Sequence, residues 1–83
     1  MATVFRSRRR YRVAVNSNDH LPAHVHVFGK GCEARFKLNP PRGPVEFWDS
    51  EGDWKTSAHL IELGDEIAAK LDECCNLWRE IHG

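Results

Sequence analysis

Three of the chain's five histidines fall within seven residues, His20 to His26, in the stretch HLPAHVHVF. His24 and His26 stand two apart. In an extended strand such neighbours share one face of the pleat. Two imidazoles beside a carboxylate can hold a divalent metal ion, and nitrogen ligands favour zinc or nickel over magnesium. Two imidazoles beside cations can instead move protons at a phosphodiester while the cations stabilise the developing charge. The candidate metal ligands are His20, His24, His26 and Glu33. The candidate catalytic set, for a metal-independent ribonuclease, is His24, His26, Arg35 and Lys37. An H-x-H pair is equally compatible with exposed polar residues on a sheet, where a cross-strand His26–Glu33 pair contributes less than about 1 kcal/mol.

These residues need a hairpin to meet. Cys32, Ala34, Phe36 and Leu38 alternate with Glu33, Arg35 and Lys37, the pattern of a half-buried strand. A two-residue turn at Gly29-Lys30 suits a type II′ geometry. It sets Val27 opposite Cys32 and Val25 opposite Ala34 on the core side. His26 then faces Glu33 and His24 faces Arg35 on the outer side. A three-residue turn would instead bury both imidazoles opposite Phe36 and Ala34.

The flanking segments supply the rest of the frame. Tyr11-Arg12-Val13-Ala14-Val15 alternates as a strand, and Asn16-Ser17-Asn18-Asp19 is turn chemistry. Asn39 to Pro44 is a loop, because proline offers no N–H to a ladder. Val45 to Trp48 reads as a short strand followed by a turn at residues 49–53. Leu60, Ile67, Cys74 and Ile81 recur every seven residues, with Gly64, Leu71 and Trp78 between them, which predicts one long amphipathic helix. Thr56 or Ser57 can cap its start and Gly83 ends it. Gly64 either permits a close approach or breaks the helix in two. The expected fold is α+β: an antiparallel sheet of three or four strands packed against a long C-terminal helix. Val13, Val15, Val25, Val27, Ala34, Phe36 and Leu38 would lie under the stripe of Leu60, Ile67, Leu71, Cys74, Trp78 and Ile81. Trp48, Trp54 and Trp78 would anchor helix to sheet.

Eighty-three residues, 41% hydrophobic and 29% charged, make one globular domain over residues 1–83, with residues 1–10 as a flexible basic N-terminus. No apolar run approaches the ~18 residues of a membrane span, and the arginine-rich start has no secretory apolar core. Three cysteines without metal-ligand spacing read as reduced thiols, pointing to the cytoplasm. The net charge is zero but split. Residues 1–44 hold nine Lys or Arg against two acids, +7, and residues 45–83 hold three against ten, −7. Arg6, Arg8, Arg9, Arg10 and Arg12 therefore form a candidate contact for RNA or DNA. The same split would arise from a basic sheet lying beside an acidic helix.

The stretch SNDHLPAHVHVFGKGCEARFKL resembles the signature of a family of small bacterial domains of unknown function. In that family a histidine precedes Pro-Pro-His-x-His-Val, a glycine-containing turn and a Glu-Ala-x-hydrophobic strand. His20, Pro22, His24, His26, Val27, Glu33 and Ala34 match, and Ala23 stands where the family has its second proline. YRVAV resembles the family's first strand, and the helix ending LWREIHG its closing helix. The resemblance implies a bacterial cytoplasmic protein encoded beside a small protein partner in a toxin–antitoxin-like arrangement. It implies no established activity. A non-enzymatic binding or regulatory role is accordingly the leading expectation.

Overall fold

The computed structural model describes all residues, 1–83. Five strands form one antiparallel sheet in sequence order, β1 (Ala2–Arg6), β2 (Arg12–Val15), β3 (His24–Gly29), β4 (Cys32–Lys37) and β5 (Glu46–Gly52), followed by α1 (Ser57–Ala69) and α2 (Leu71–His82). The class is α+β, with two corrections to the expected layout. The sheet has five strands rather than three or four, and the helical region is two helices rather than one long rod.

The extra strand is β1. Residues 2–6 pair with β2, Phe5 opposite Val13 and Arg6 opposite Arg12, so the basic N-terminus contains an edge strand. β5 runs through the residues read as a turn. It pairs along β4 from Lys37–Glu46 to Cys32–Gly52, with an irregularity between Arg35 and Phe36.

Between Ala69 and Leu71 the helix breaks at Lys70 (φ −116, ψ 27) and not at Gly64. Twisted sheets turn beneath a straight rod. The break lets α1 lie near β5 while α2 crosses β1 and β2. Thr56 is the N-cap, its hydroxyl accepting from Ala58 N–H at 3.2 Å. Gly83 caps the other end, its N–H donating to the Arg79 carbonyl at 2.8 Å.

The core follows the strand alternation. Val13, Val15, Val25, Val27, Ala34, Phe36 and Leu38 are all at most 2% exposed, and Leu63, Ile67, Cys74 and Trp78 close over them from the helices. Each fully buried aliphatic side chain contributes about 1.5–3 kcal/mol. Leu60, Leu71 and Ile81 are only partly buried at the margin. Leu63, three residues after Leu60 and four before Ile67 and so on the same helix face, carries the centre of α1 instead. Both helices cover one face of the sheet, so residues of the opposite parity point away from them.

Candidate metal centre beside strand β3

The hairpin turn is Lys30-Gly31, one residue later than expected, with Gly29 opposite Cys32. Gly31 takes the left-handed conformation the turn requires (φ 73). Moving a two-residue turn by one position shifts the pairing by two and preserves the faces. His24, His26 and Phe28 therefore do share the outer face with Glu33, Arg35 and Lys37. Their partners change: His26 lies opposite Arg35, His24 opposite Lys37 and Phe28 opposite Glu33.

The carboxylate that meets the histidines is Asp19, from the loop joining β2 to β3. That loop is shaped locally. The Asn16 side chain accepts from Asn18 N–H at 3.0 Å, and the Asn16 carbonyl accepts from Asp19 N–H at 3.2 Å. The Leu21–Pro22 peptide is cis, and the Ala23 carbonyl accepts from Leu38 N–H at 2.9 Å. Asp19 is brought down onto β3. One of its oxygens, Oδ2, stands 3.3 Å from His24 Nε2 and 2.9 Å from His26 Nε2. Side-chain exposure is 13% for Asp19, 4% for His24 and 12% for His26. One ligand atom from each of the three residues can be chosen so that all lie within 4.8 Å of one another.

The hydrogen bonds fix the tautomers. His24 Nδ1 lies 2.8 Å from the Pro22 carbonyl. A carbonyl only accepts, so Nδ1 carries the proton. In neutral His24, Nε2 is then a bare lone pair. It faces the Asp19 carboxylate at ion-pair distance, but it is not aligned for a hydrogen bond and has no other partner. His26 Nε2–H donates to Asp19, which leaves His26 Nδ1 also without a partner, 3.6 Å from Glu33 Oε2. Two unpartnered, nearly buried nitrogens beside a carboxylate are costly, at about 1–3 kcal/mol each.

The other predicted site residues are placed as follows. His20 is exposed and outside the cluster. Glu33 does not reach the position between the imidazoles and Asp19, but backs His26. Arg35 makes a two-pronged ion pair with Asp49, which holds the Asp49 carboxyl below its ordinary range, and it stacks 4.0 Å over the Trp48 ring. Lys37 lies 5.1 Å from the same ring. Trp48 is thus on the outer face, its centroid 5.0 Å from that of His24, and does not anchor the helices. Trp78 does so, and also touches His24 at 5.5 Å and His82 at 3.9 Å between ring centroids. Trp54 packs on Tyr11 and donates to the Glu33 carbonyl at 3.2 Å.

The arginines do not form one patch. Arg9 pairs with Glu62 at 2.7 Å, and the backbone N–H of Arg8 donates to Glu66 at 3.0 Å. This part of the charge split is a basic turn seated against acidic α1. Arg6 and Arg12 sit opposite each other across β1 and β2, on the outer face.

Sequence reasoning missed Asp19 as a partner of the histidines. Its adjacency to His20 in a turn-forming run was the available signal, but nothing in its spacing showed which way the loop folds. No protein-family model, curated protein or solved structure matches this chain.

Proposed function

We propose that the protein is a metal-binding domain that holds one divalent transition-metal ion, of the zinc class, through Asp19 Oδ2, His24 Nε2 and His26 Nε2. One observation carries the reading: a single cation among these atoms would take the unpartnered His24 Nε2 lone pair directly and, by displacing the proton of His26 Nε2 to Nδ1, would let the second unpartnered nitrogen donate to Glu33. His24 already has the tautomer of a ligand, with Nδ1–H fixed on a backbone carbonyl and Nε2 free. His26 needs only to move its proton to Nδ1. Nε2 then binds the ion, and Nδ1–H turns to Glu33, as carboxylates commonly back metal-bound histidines. Ligands at ~2.0–2.2 Å stand about 3.3–3.6 Å apart around a tetrahedral ion. The 3.3 Å Asp19–His24 spacing fits, and the 2.9 Å Asp19–His26 spacing needs to widen by a few tenths of an ångström.

Three protein ligands leave a fourth position for water or a ligand atom. A metal-independent acid–base pair is less well supported. The two Nε2 atoms converge on one carboxylate oxygen rather than flanking an open space, and His24 is 3% exposed.

The test is zinc titration of protein purified without a histidine tag, with cobalt as a spectroscopic substitute. One equivalent should bind, with the strong visible absorption of a four-coordinate cobalt site. His24→Ala should abolish it and Asp19→Asn should weaken it about a hundredfold, whereas His20→Ala should do neither. A protein that binds neither metal, or binds equally well without His24, refutes the assignment.

A second reading is favoured by a separate feature. Phe47 and Ile61 are 52% and 67% exposed and line a groove between β5 and α1 with Val45, Leu60 and Leu71. Such a surface supports a binding or regulatory role with a small protein partner, of the toxin–antitoxin-like kind that the family resemblance implies in a bacterial cytoplasm. Co-purification with the product of the adjacent gene, lost in Phe47→Ser, is the check.

A further inference from the structure

The helix-free face of the sheet carries a second feature that the metal reading does not use. Across it run Arg6 on β1, Arg12 on β2, Phe28 and His26 on β3, Arg35 and Lys37 on β4 and Trp48 on β5. The rings form a row. Phe28 and His26 are parallel at 5.9 Å, interplanar angle 6°, His26 and His24 are 5.1 Å apart, and His24 and Trp48 are 5.0 Å apart. A cation attends each end of the row. Arg12 lies 6.0 Å over Phe28, and Arg35 and Lys37 lie over Trp48.

We infer that this face binds single-stranded nucleic acid, with Phe28 and Trp48 as stacking platforms and Arg6, Arg12 and Lys37 as phosphate contacts. The chemistry of the face selects this occupant. A flat sheet surface offers room for unstacked bases, each of which has a π-face that an aromatic ring can accept whatever the sequence. The cations stand beside the rings, where the backbone of a stacked strand would pass. A protein partner would be expected to meet exposed aliphatic side chains, and this face presents none. Its acids are Glu33 on β4, Glu46, Asp49 and Glu51 on β5, with Glu46 opposite Lys37, and Asp19 over the histidines of β3. Asp49 is neutralised by Arg35, so the unpaired positive charge concentrates toward β1 and β2. Five strands at ~4.8 Å spacing give a platform about 19 Å wide, enough for a few nucleotides. Arg6 and Arg12 were among the arginines singled out in the sequence. The structure adds to them the rings and the lysine of β3 to β5, and separates them from Arg8 and Arg9, which face α1.

Fluorescence anisotropy with labelled oligouridine of about twelve nucleotides tests this. A metal chelator is present throughout, so the outcome does not depend on the metal reading. Binding should weaken about tenfold or more in Phe28→Ala and likewise in Trp48→Leu. The slope of log affinity against log salt should be about −2, for three phosphate contacts at ~0.7 each, and should become shallower by ~0.7 in Arg12→Gln. Arg42→Gln, in the loop on the other side of the fold, should leave affinity unchanged. Amide shift changes on titration should fall on β1 to β5 and spare α1 and α2, which guards against a variant that merely unfolds. No binding at hundreds of micromolar, equal affinity for duplex of the same length, or shifts confined to the helices overturns the inference.

Discussion

Zinc should stabilise this protein by an amount that one atom of Asp19 controls. Binding to the folded state alone adds about 2.7 kcal/mol when free metal is a hundredfold above Kd. For a chain of 83 residues, each kcal/mol moves the melting temperature by ~4–8 °C, so the expected rise is about 11–22 °C. Asp19→Asn keeps the shape of the side chain and its loop but replaces the anionic oxygen that stands 3.3 and 2.9 Å from the two imidazoles. If that loss weakens binding a hundredfold, the same zinc concentration equals Kd, and the gain falls to about 0.4 kcal/mol, or ~2–3 °C. Glu33→Gln acts through His26 Nδ1 and should weaken affinity by ~10–100-fold, giving an intermediate rise. The assay is thermal denaturation followed by far-ultraviolet circular dichroism, with each variant compared with itself in chelator. The increment is what counts, because removing a buried carboxylate also changes the metal-free melting point. An Asp19→Asn increment equal to that of the unmodified protein would refute the reasoning, and so would a zinc-insensitive parent.

Three other perturbations probe the frame. Leu63→Ala should cost about 2–5 kcal/mol in urea denaturation, because Leu63 is 1% exposed at the centre of the helix–sheet contact. Gly52→Ala should cost at least about 2 kcal/mol by the same assay. Its φ is +82, unfavourable for an L residue, and a Cβ there would lie 2.2 Å from the Gly31 carbonyl oxygen. Burial pushes the Cys74 thiol up to about 12 from an ordinary 9.0. Because the folded value is raised, the native state favours the protonated thiol, and stability is fully present below pH 9 and lost as pH rises from there toward 12. Labelling with a thiol reagent followed by mass spectrometry should accordingly modify the half-exposed Cys32 first and reach Cys74 only on unfolding.

Much of this arrangement was legible in the alternation of Cys32 to Leu38, which correctly divided β4 into core and outer residues and put His24 and His26 opposite the core. The pairing partners were not legible. Turns at Gly29-Lys30 and at Lys30-Gly31 give the same faces, so burial could exclude the intermediate register but could not choose between these two. Residues 2–6 read as part of an arginine-rich tail, yet Thr3, Val4 and Phe5 suit an edge strand, and pairing with β2 outweighs the flanking charge. The heptad of Leu60, Ile67, Cys74 and Ile81 implied one rod. A sequence period does not contain the twist of the sheet it must cross, and that twist is met by the break at Lys70. Trp48 was assigned to the core on side-chain type alone, and the irregularity in β5 beside Phe36 lies next to it, where simple alternation no longer fixes the face. The role of Asp19 depends on the path of an eight-residue loop, which local turn preferences do not encode.

That loop is also tied from the far end of the chain. His82 Nε2–H, in the last turn of α2, donates to the Asn16 carbonyl at 3.1 Å, and Trp78 sits between His82 and His24. Asp19 therefore cannot lift away from β3 as a freely swinging surface loop would, because its base is latched to a helix end. Helix ends open by fraying, at a small fraction of the global unfolding free energy. Exchange of anything held between Asp19 and the imidazoles would then be clocked by the last turn of α2. A His82→Ala variant would change how long the occupant stays while leaving every atom that grips it in place.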